Sequence, residues 1–308
     1  MLPEDLPQDF LEFNARFGTD EQCREYLFQA RWPDGFRCEG CGHGDAYALR
    51  TRLVYECTAC GKQHSLLAGT LFEQTKTGLA RWFLVIYLVT SSKGGIAAAE
   101  LQRQLGFGSY QTAWSWLHKL RKAMVRPDRE PPAGRVEVDE TYVGGVEEGR
   151  RGGRQRDGAK PIVAGAVEVR GRGSGRVRLA VVRDLSAASL VPFVEASVDP
   201  GSTVLTDGWQ GHAPLREGYD HRPSTVGDPR NASKLFPRVH RTFSNLKTWL
   251  KGTHHGVSGR HLPHYVDEFV FRFNRRRTPM AAFQSLLGLS TRHAPTTHKV
   301  LCAAEPTG

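Results

Sequence analysis

Two Cys-x-x-Cys pairs, Cys38 with Cys41 and Cys57 with Cys60, stand fifteen residues apart and constrain residues 36–72 more tightly than any other feature of the chain. A CxxC turn aims two thiolates at one point, and two such turns complete a tetrahedral zinc shell. Gly42 and Gly61 follow the second cysteine of each pair, which suits a tight knuckle. Four thiolates leave no open coordination position, so the zinc is expected to hold structure and not to catalyse. Ordinary buried thiols would not need this paired spacing, and His43 and His64 are not needed as ligands. Cys23 and Cys302 are isolated, so the six cysteines read as a metal site in a reducing compartment, not a disulfide scaffold.

Charge narrows the partner. With 42 Lys and Arg against 32 Asp and Glu, the net charge is +10, and the sequence pI is near 9.5. Such a chain favours nucleic acid or an anionic membrane surface. The longest strongly apolar run, Trp82 to Val89, is too short to span a bilayer. The first residues, MLPEDLPQDF, lack the basic start of a secretory signal. The expectation is a soluble cytoplasmic protein, long enough for two or three domains.

The pattern divides the chain into a helical lead-in and ribbon (1–75), a helical region (76–130), an α/β region (131–289) and a polar, poorly ordered tail (290–308). The charged, proline-rich RPDREPPAG at 126–134 marks the main boundary. Strands are expected at 135–139, 162–169, 176–183 and 203–206, and helices at 187–198, 241–251 and 262–274. In the helical region, Ala98, Leu101 and Leu105 share one face, Gly106-Phe107-Gly108 makes a turn, and Ser109 suits an N-cap. Ala113, Trp116, Leu117, Leu120 and Met124 form the next apolar stripe. Gln111, Ser115, His118, Lys119 and Lys122 then form a polar, basic face, which fits a helix-turn-helix; a plain helical hairpin is the bland alternative.

The chemistry is expected in VEVDETYVGG (136–145) and TVLTDGW (203–209). Each is a β-branched run ending in an aspartate, Asp139 and Asp207. A carboxylate ending a buried strand is costly unless it is paired or binds a cation. Two of them from distant parts of the chain suggest a shared divalent-metal site, although Asp207-Gly208 is also an ordinary turn dipeptide. Glu137 and Glu140 flank Asp139 and are set aside as facing away from it.

These motifs come in one order with LQRQLGFGSYQTAWSWLHKLR (101–121), VLTDGWQGH, VHRTFSNLKTWLKGTHHGVS (239–258) and HLPHYVDEFVFRFNRR (261–276). Taken together, the chain resembles the insertion-sequence transposases of bacteria and archaea that join a zinc ribbon to a DDE-type catalytic domain. The resemblance implies a multidomain α+β protein: zinc ribbon, helix-turn-helix, then a ribonuclease-H-like α/β domain with a mixed sheet. It implies binding of double-stranded DNA at terminal inverted repeats and at a target. It also implies Mg²⁺-dependent strand cleavage and transfer, two catalytic ions, nucleoid association, and a homodimer or larger assembly on paired ends.

By motif match, Asp139 and Asp207 take the first two catalytic positions, and counting from Val239-His240 puts Asn245 in the third. Asparagine still offers a carbonyl oxygen to a cation but lacks the charge. Asp139, Asp207 and Asn245 are therefore the expected Mg²⁺ ligands, with Lys247 and Lys251 expected on DNA phosphate. Glu268 is a rival third carboxylate whose plainer reading is an ion pair with an arginine on its own helix. Arg150, Arg151, Arg154 and Arg156, and the group Arg272, Arg275, Arg276 and Arg277, suit either phosphate contact or a solvated surface. His254, His255, His261 and His264 lack the spacing of a metal site. The asparagine leaves two alternatives open, a weakened DNA-binding regulator and a structure-specific nuclease of the same fold.

Overall fold

The computed structural model describes residues 7–49, 52–126, 129–144, 160–224 and 232–302. Two compact units divide the chain: Met1–Arg126 with Arg277–Gly308, and Pro127–Arg276.

In the first unit, α1 (Phe10–Phe17) begins where the Asp9 side chain accepts from Glu12 N–H. A reciprocal Thr19–Gln22 capping box opens α2 (Asp20–Arg31). Three short antiparallel strands follow in sheet order β1 (Ala46–Leu49), β2 (Val54–Cys57), β3 (Gln63–Ser65). The core is α3 (Leu79–Ser91), whose sequence LARWFLVIYLVTS is apolar around most of its circumference. Such a helix needs neighbours on several sides. It finds them in α1, α2 and α10 (Pro279–Ser290), and through Trp82 in α5 (Tyr110–Ala123). Phe13 stacks on Tyr87 at 4.4 Å and meets Phe283 edge-on at 5.6 Å. Trp82 lies flat on Trp116, ring centroids 3.5 Å apart. Among the described residues, no helix is long and apolar enough to cross a membrane.

The C-terminal segment differs from expectation. Residues 277–289 group with this unit and not with the α/β region. From Ser290 the chain does not run on as an unpacked tail. It forms α11 (His298–Cys302), with Leu301 only 2% exposed against α5. The sequence around it is polar, so one buried leucine gave too little pattern to find.

The second unit is a five-stranded mixed sheet in the order β6 (Gly173–Val182), β5 (Ile162–Arg170), β4 (Arg135–Tyr142), β7 (Thr203–Thr206), β8 (Asp220–Pro223). The first three form an antiparallel meander; β7 adds parallel to β4, and β8 parallel to β7. Strand alternation gives the sheet two apolar faces. Val136, Val138, Ala164, Ala166 and Val204 lie under α6 (Ala187–Ser197). Val163, Val167, Val177 and Leu179 lie under α8 (Pro237–His254), which follows the single-turn α7 (Ala232–Leu235), and under α9 (Leu262–Asn274). β8 went unforeseen because DHRP carries no alternation; it is an edge strand, where a proline is tolerated. At the opposite edge, Asn274 accepts from Val177 N–H at 2.9 Å and donates to Val177 C=O at 3.0 Å, closing β6.

Two features seat α8 on β4. Glu137, fully buried on β4, accepts from the Arg238 and Val239 N–H groups at 2.8 and 2.9 Å and from the Arg238 guanidinium at 2.9 Å. A carboxylate is well placed against the unpaired amides and positive dipole end of a helix start. Gly165, paired with Asp139, supplies the clearance: a Cβ there would come within 2.7 Å of the Phe243 ring. Replacing Glu137 with alanine strands a half-buried guanidinium and two helix amides, and is expected to cost about 3 kcal/mol. Equilibrium urea unfolding measures this; an unchanged midpoint would show that the brace carries no net stability.

Candidate functional site

The two cysteine turns close with the same pair of hydrogen bonds. Gly42 N–H donates to Cys38 C=O at 2.9 Å and Gly61 N–H to Cys57 C=O at 3.0 Å. Cys38 N–H in turn donates to His43 C=O, and Cys57 N–H to Lys62 C=O. Both glycines sit at positive φ, +74° and +69°, where a side chain would be strained. The turns bring Cys38 Sγ to 3.6 Å from Cys60 Sγ, and Cys41 Sγ to 3.6 Å from Cys57 Sγ. All four sulfurs lie within 4.8 Å of one another. Tetrahedral zinc–sulfur bonds of 2.3 Å require sulfurs about 3.8 Å apart, so the cluster already has the dimensions of a zinc shell. Burial pushes the Cys38 thiol up, but hydrogen bonds from Gly40 N–H, His64 and Cys41 N–H outweigh it and bring the thiol down to about 5. Among the described residues, no other set of three His, Cys, Asp or Glu groups clusters closely enough to hold a metal.

The helix pair has the local geometry read from the sequence. Gly106 ends α4 (Ala98–Leu105) in a left-handed C-cap, and Ser109 caps α5 through Thr112 N–H. The outer face of α5 is where expectation and structure part. Ser115 is 9% exposed, and His118 is fully buried with its ring 4.0 Å from that of Trp114. These two are corrected from groove-facing to interior residues. Lys119 is half-buried, and burial pushes its ammonium down. Lys122 is half-buried as well. α10 and α11 pack on this helix, and their sequences, far along the chain, carried no sign of it. Only the first turn stays open: Tyr110, Gln111 and Thr112 are exposed, with Gln111 Nε2 2.9 Å from His298 Nε2.

On the sheet, Asp139 and Asp207 come to one level. β4 and β7 run parallel with Arg135 opposite Thr203 and Glu137 opposite Leu205. The pairing ends there; carried two residues further, the same offset leads from Asp139 to Asp207, the residue after β7. Neighbouring strands lie about 4.8 Å apart. Asp139 shares the α8 face with Glu137, two residues before it, so the expectation that Glu137 faces away is corrected. Glu140 does take the other side, where its Oε2 stands 3.8 Å from His212 Nε2.

The side chain that α8 offers to Asp139 is His240, its Nε2 3.2 Å from Asp139 Oδ2. Ser244, Lys247 and Lys251 follow His240 at helical spacing along one stripe. Asn245 is exposed and stands roughly 140° round the helix from His240. It therefore does not share the stripe that meets Asp139; the α8 side chain that does is His240. The helix phase held the signal. Val239, Phe243, Leu246 and Leu250 mark the buried face, which fixes His240, Lys247 and Lys251 on one flank. Counting from Val239-His240 ignored that phase.

The remaining candidates have plainer roles. Glu268 is 2% exposed and 3.9 Å from Arg272 on its own helix. Arg275 and Arg276 lie over the Phe271 and Phe273 rings. His254 packs edge-on to Trp249 and Tyr265. Arg150, Arg151, Arg154 and Arg156 fall outside the described residues.

Stripping zinc with a chelator is expected to abolish hydrogen-exchange protection in β1, β2 and β3 while sparing β4 to β7, because the ribbon has few buried residues of its own. Unchanged exchange in β1 to β3 would mean that the metal does not hold this sheet.

Residues 132–274 match the ISXO2-like transposase domain, and residues 18–63 the transposase zinc-ribbon domain. A relative from Halobacterium salinarum, described as an uncharacterized protein in transposable element ISH50, is 25% identical over 286 residues, covering 85% of this chain and 94% of its own. The cysteine cluster and the mixed sheet fall inside the two matched segments. The chain belongs to the insertion-sequence transposases that carry a zinc ribbon ahead of an ISXO2-like transposase domain.

Proposed function

We propose that this protein binds the terminal inverted repeats of its element as double-stranded DNA, cuts there, and joins the freed strand to target DNA. The observation that carries the reading is that Asp139 on β4 and Asp207, one residue past the parallel neighbour β7, lie towards the same ends of adjacent strands. The sheet order, an antiparallel meander extended by two parallel strands with helices on both faces, supports a ribonuclease-H-like domain.

Two carboxylates at one level fit a hard divalent cation, which keeps several positions for water and substrate phosphate. Asp139 and Asp207 would hold Mg²⁺, and when bound it supplies Lewis-acid activation of the attacking and leaving oxygens. The protein's own groups do the rest. His240 holds Asp139 Oδ2 in place. Lys247 and Lys251, on the same stripe, grip the DNA backbone beside the scissile phosphate. Water first opens the phosphodiester at the element end, and the 3′-hydroxyl so released attacks the target. On the helix-turn-helix reading, the exposed first turn of α5 meets DNA, since recognition helices contact bases with their N-terminal residues.

One observation favours a second reading. An imidazole beside Asp139 carries less negative charge than a carboxylate would and is a poorer partner for Mg²⁺, which suits a weakened enzyme that chiefly binds DNA. A strand-transfer assay on labelled element ends, with Mg²⁺ or Mn²⁺, decides between them. Asp139→Asn and Asp207→Asn are expected to lower joined product by about 10³-fold or more with end binding intact. His240→Ala should cost about 10²-fold, against less than about tenfold for Asn245→Ala. The reverse order for the last two would favour Asn245 for the third position. Joined product that survives in Asp139→Asn would remove the site altogether. Lys247→Ala should weaken end binding and flatten its salt dependence by about one unit of log–log slope; an unchanged slope would take Lys247 off the phosphate.

A further inference from the structure

Resting on the reading of Asp139 and Asp207 as metal ligands, we infer that His212 is a positioning residue that sets Asp207 against the end of β4. His212 belongs to the 3₁₀ segment Gln210–Glu217 and is fully buried. Its two ring nitrogens stand at ion-pair distance, longer than a hydrogen bond, from carboxylates of β4 and of the turn after β7. Nε2 stands 3.8 Å from Glu140 Oε2, and Nδ1 stands 4.0 Å from Asp207 Oδ1. Glu140 directly follows Asp139 on β4, and its side chain is 5% exposed. One ring thus spans from the strand that carries one ligand to the turn that carries the other.

Asp207 needs such a tie more than Asp139 does. Asp139 lies within the ladder, paired with Gly165. Asp207 lies one residue past β7, where a turn holds it: its Oδ1 accepts from Trp209 N–H at 2.9 Å. The segment behind it leaves His212 little freedom. Trp209 Nε1 donates to Leu185 C=O at 2.8 Å, and a Cβ on Gly211 would stand only 2.5 Å from that same oxygen. Volume alone could be filled by leucine without the desolvation cost of a buried imidazole and carboxylate. A separate nitrogen aimed at each carboxylate is what a cross-brace requires.

The test exploits the two nitrogens. An asparagine amide nitrogen falls near the place of Nδ1, and a glutamine amide nitrogen near that of Nε2. The readout is Mn²⁺ binding to the zinc-loaded full chain without DNA, followed by electron paramagnetic resonance, with zinc content and thermal unfolding as controls. His212→Ala and His212→Gln should weaken Mn²⁺ binding by about 10–100-fold, the usual effect of removing a group that orients a metal ligand. His212→Asn, which keeps the Asp207 contact, should stay within about threefold of the unaltered protein on the same scale. Equal affinities in all three variants, or equal losses in the Asn and Gln variants, would overturn the inference. Should the His212 variants fail to fold, Glu140→Gln keeps the volume and removes the charge that faces Nε2. Mn²⁺ binding then falls about tenfold if the brace acts as described, and an unchanged affinity overturns it. Asp139→Asn separates the two levels of the argument. Mn²⁺ binding that is absent in the unaltered protein, or indifferent to Asp139→Asn, overturns the metal reading and this inference with it. Binding that needs Asp139 but ignores His212 and Glu140 overturns this inference alone.

Discussion

The Glu137 carboxylate holds α8 by its first turn, and the arrangement of the second unit follows from that one buried contact. Three donors converge on it: two main-chain amides and the guanidinium of Arg238. Arg238 then reaches on to the carbonyls of Gly171 and Gly173, which ties the β5–β6 turn to the same point. With the helix start pinned and Gly165 leaving room for Phe243, the phase of α8 is set. His240 meets Asp139, the lysines fall on its flank, and the apolar stripe meets β5 and α9. A buried ion pair is weak evidence for net stability. Its value here is specificity, because a helix rotated by one residue would present a different side chain to Asp139.

The zinc ribbon relies on a different economy of means. Phe36, Cys38 and Cys57 are the buried centre of the three-stranded sheet, with Phe28, Trp32, Ala46 and Tyr55 packed around them. A core that small does not offset the ordering of some thirty residues. The two knuckles supply what packing lacks. Each is locally complete, with its own glycine and its own pair of hydrogen bonds. This locality is also why the ribbon was legible in the sequence: the ligands and the glycines that shape their turns are near neighbours in the chain.

Legibility fell as the determining contacts became longer in range. The central strands and α6, α8 and α9 were readable because their apolar patterns are dense and each buries one face. Ser109 and Gly106 were readable as caps because capping is local. Asp207 was readable as following a strand, but β4 runs three residues past Asp139, where the expected strand stopped. Ser115 and His118 were read as outward-facing although they are buried, and two of the helices that pack on α5, α10 and α11, arrive more than 150 residues later. Asn245 follows from motif order counted along the chain, whereas contact with Asp139 depends on angle around the helix and falls to His240.

The two candidate carboxylates are held by different physics. Asp139 lies within β4, paired with Gly165 of β5, so the ladder holds its backbone. One of its oxygens accepts from Glu140 N–H at 2.8 Å, and His240 Nε2 stands 3.2 Å from the other. Asp207 has left the ladder and turns at Gly208, where φ is +79°. Its position depends on side chains: Trp209 anchored to Leu185, and His212 reaching towards Glu140. The difference follows from where each strand ends: β4 runs on past Asp139 to Tyr142, whereas β7 stops at Thr206, so a turn and its side chains are what place Asp207.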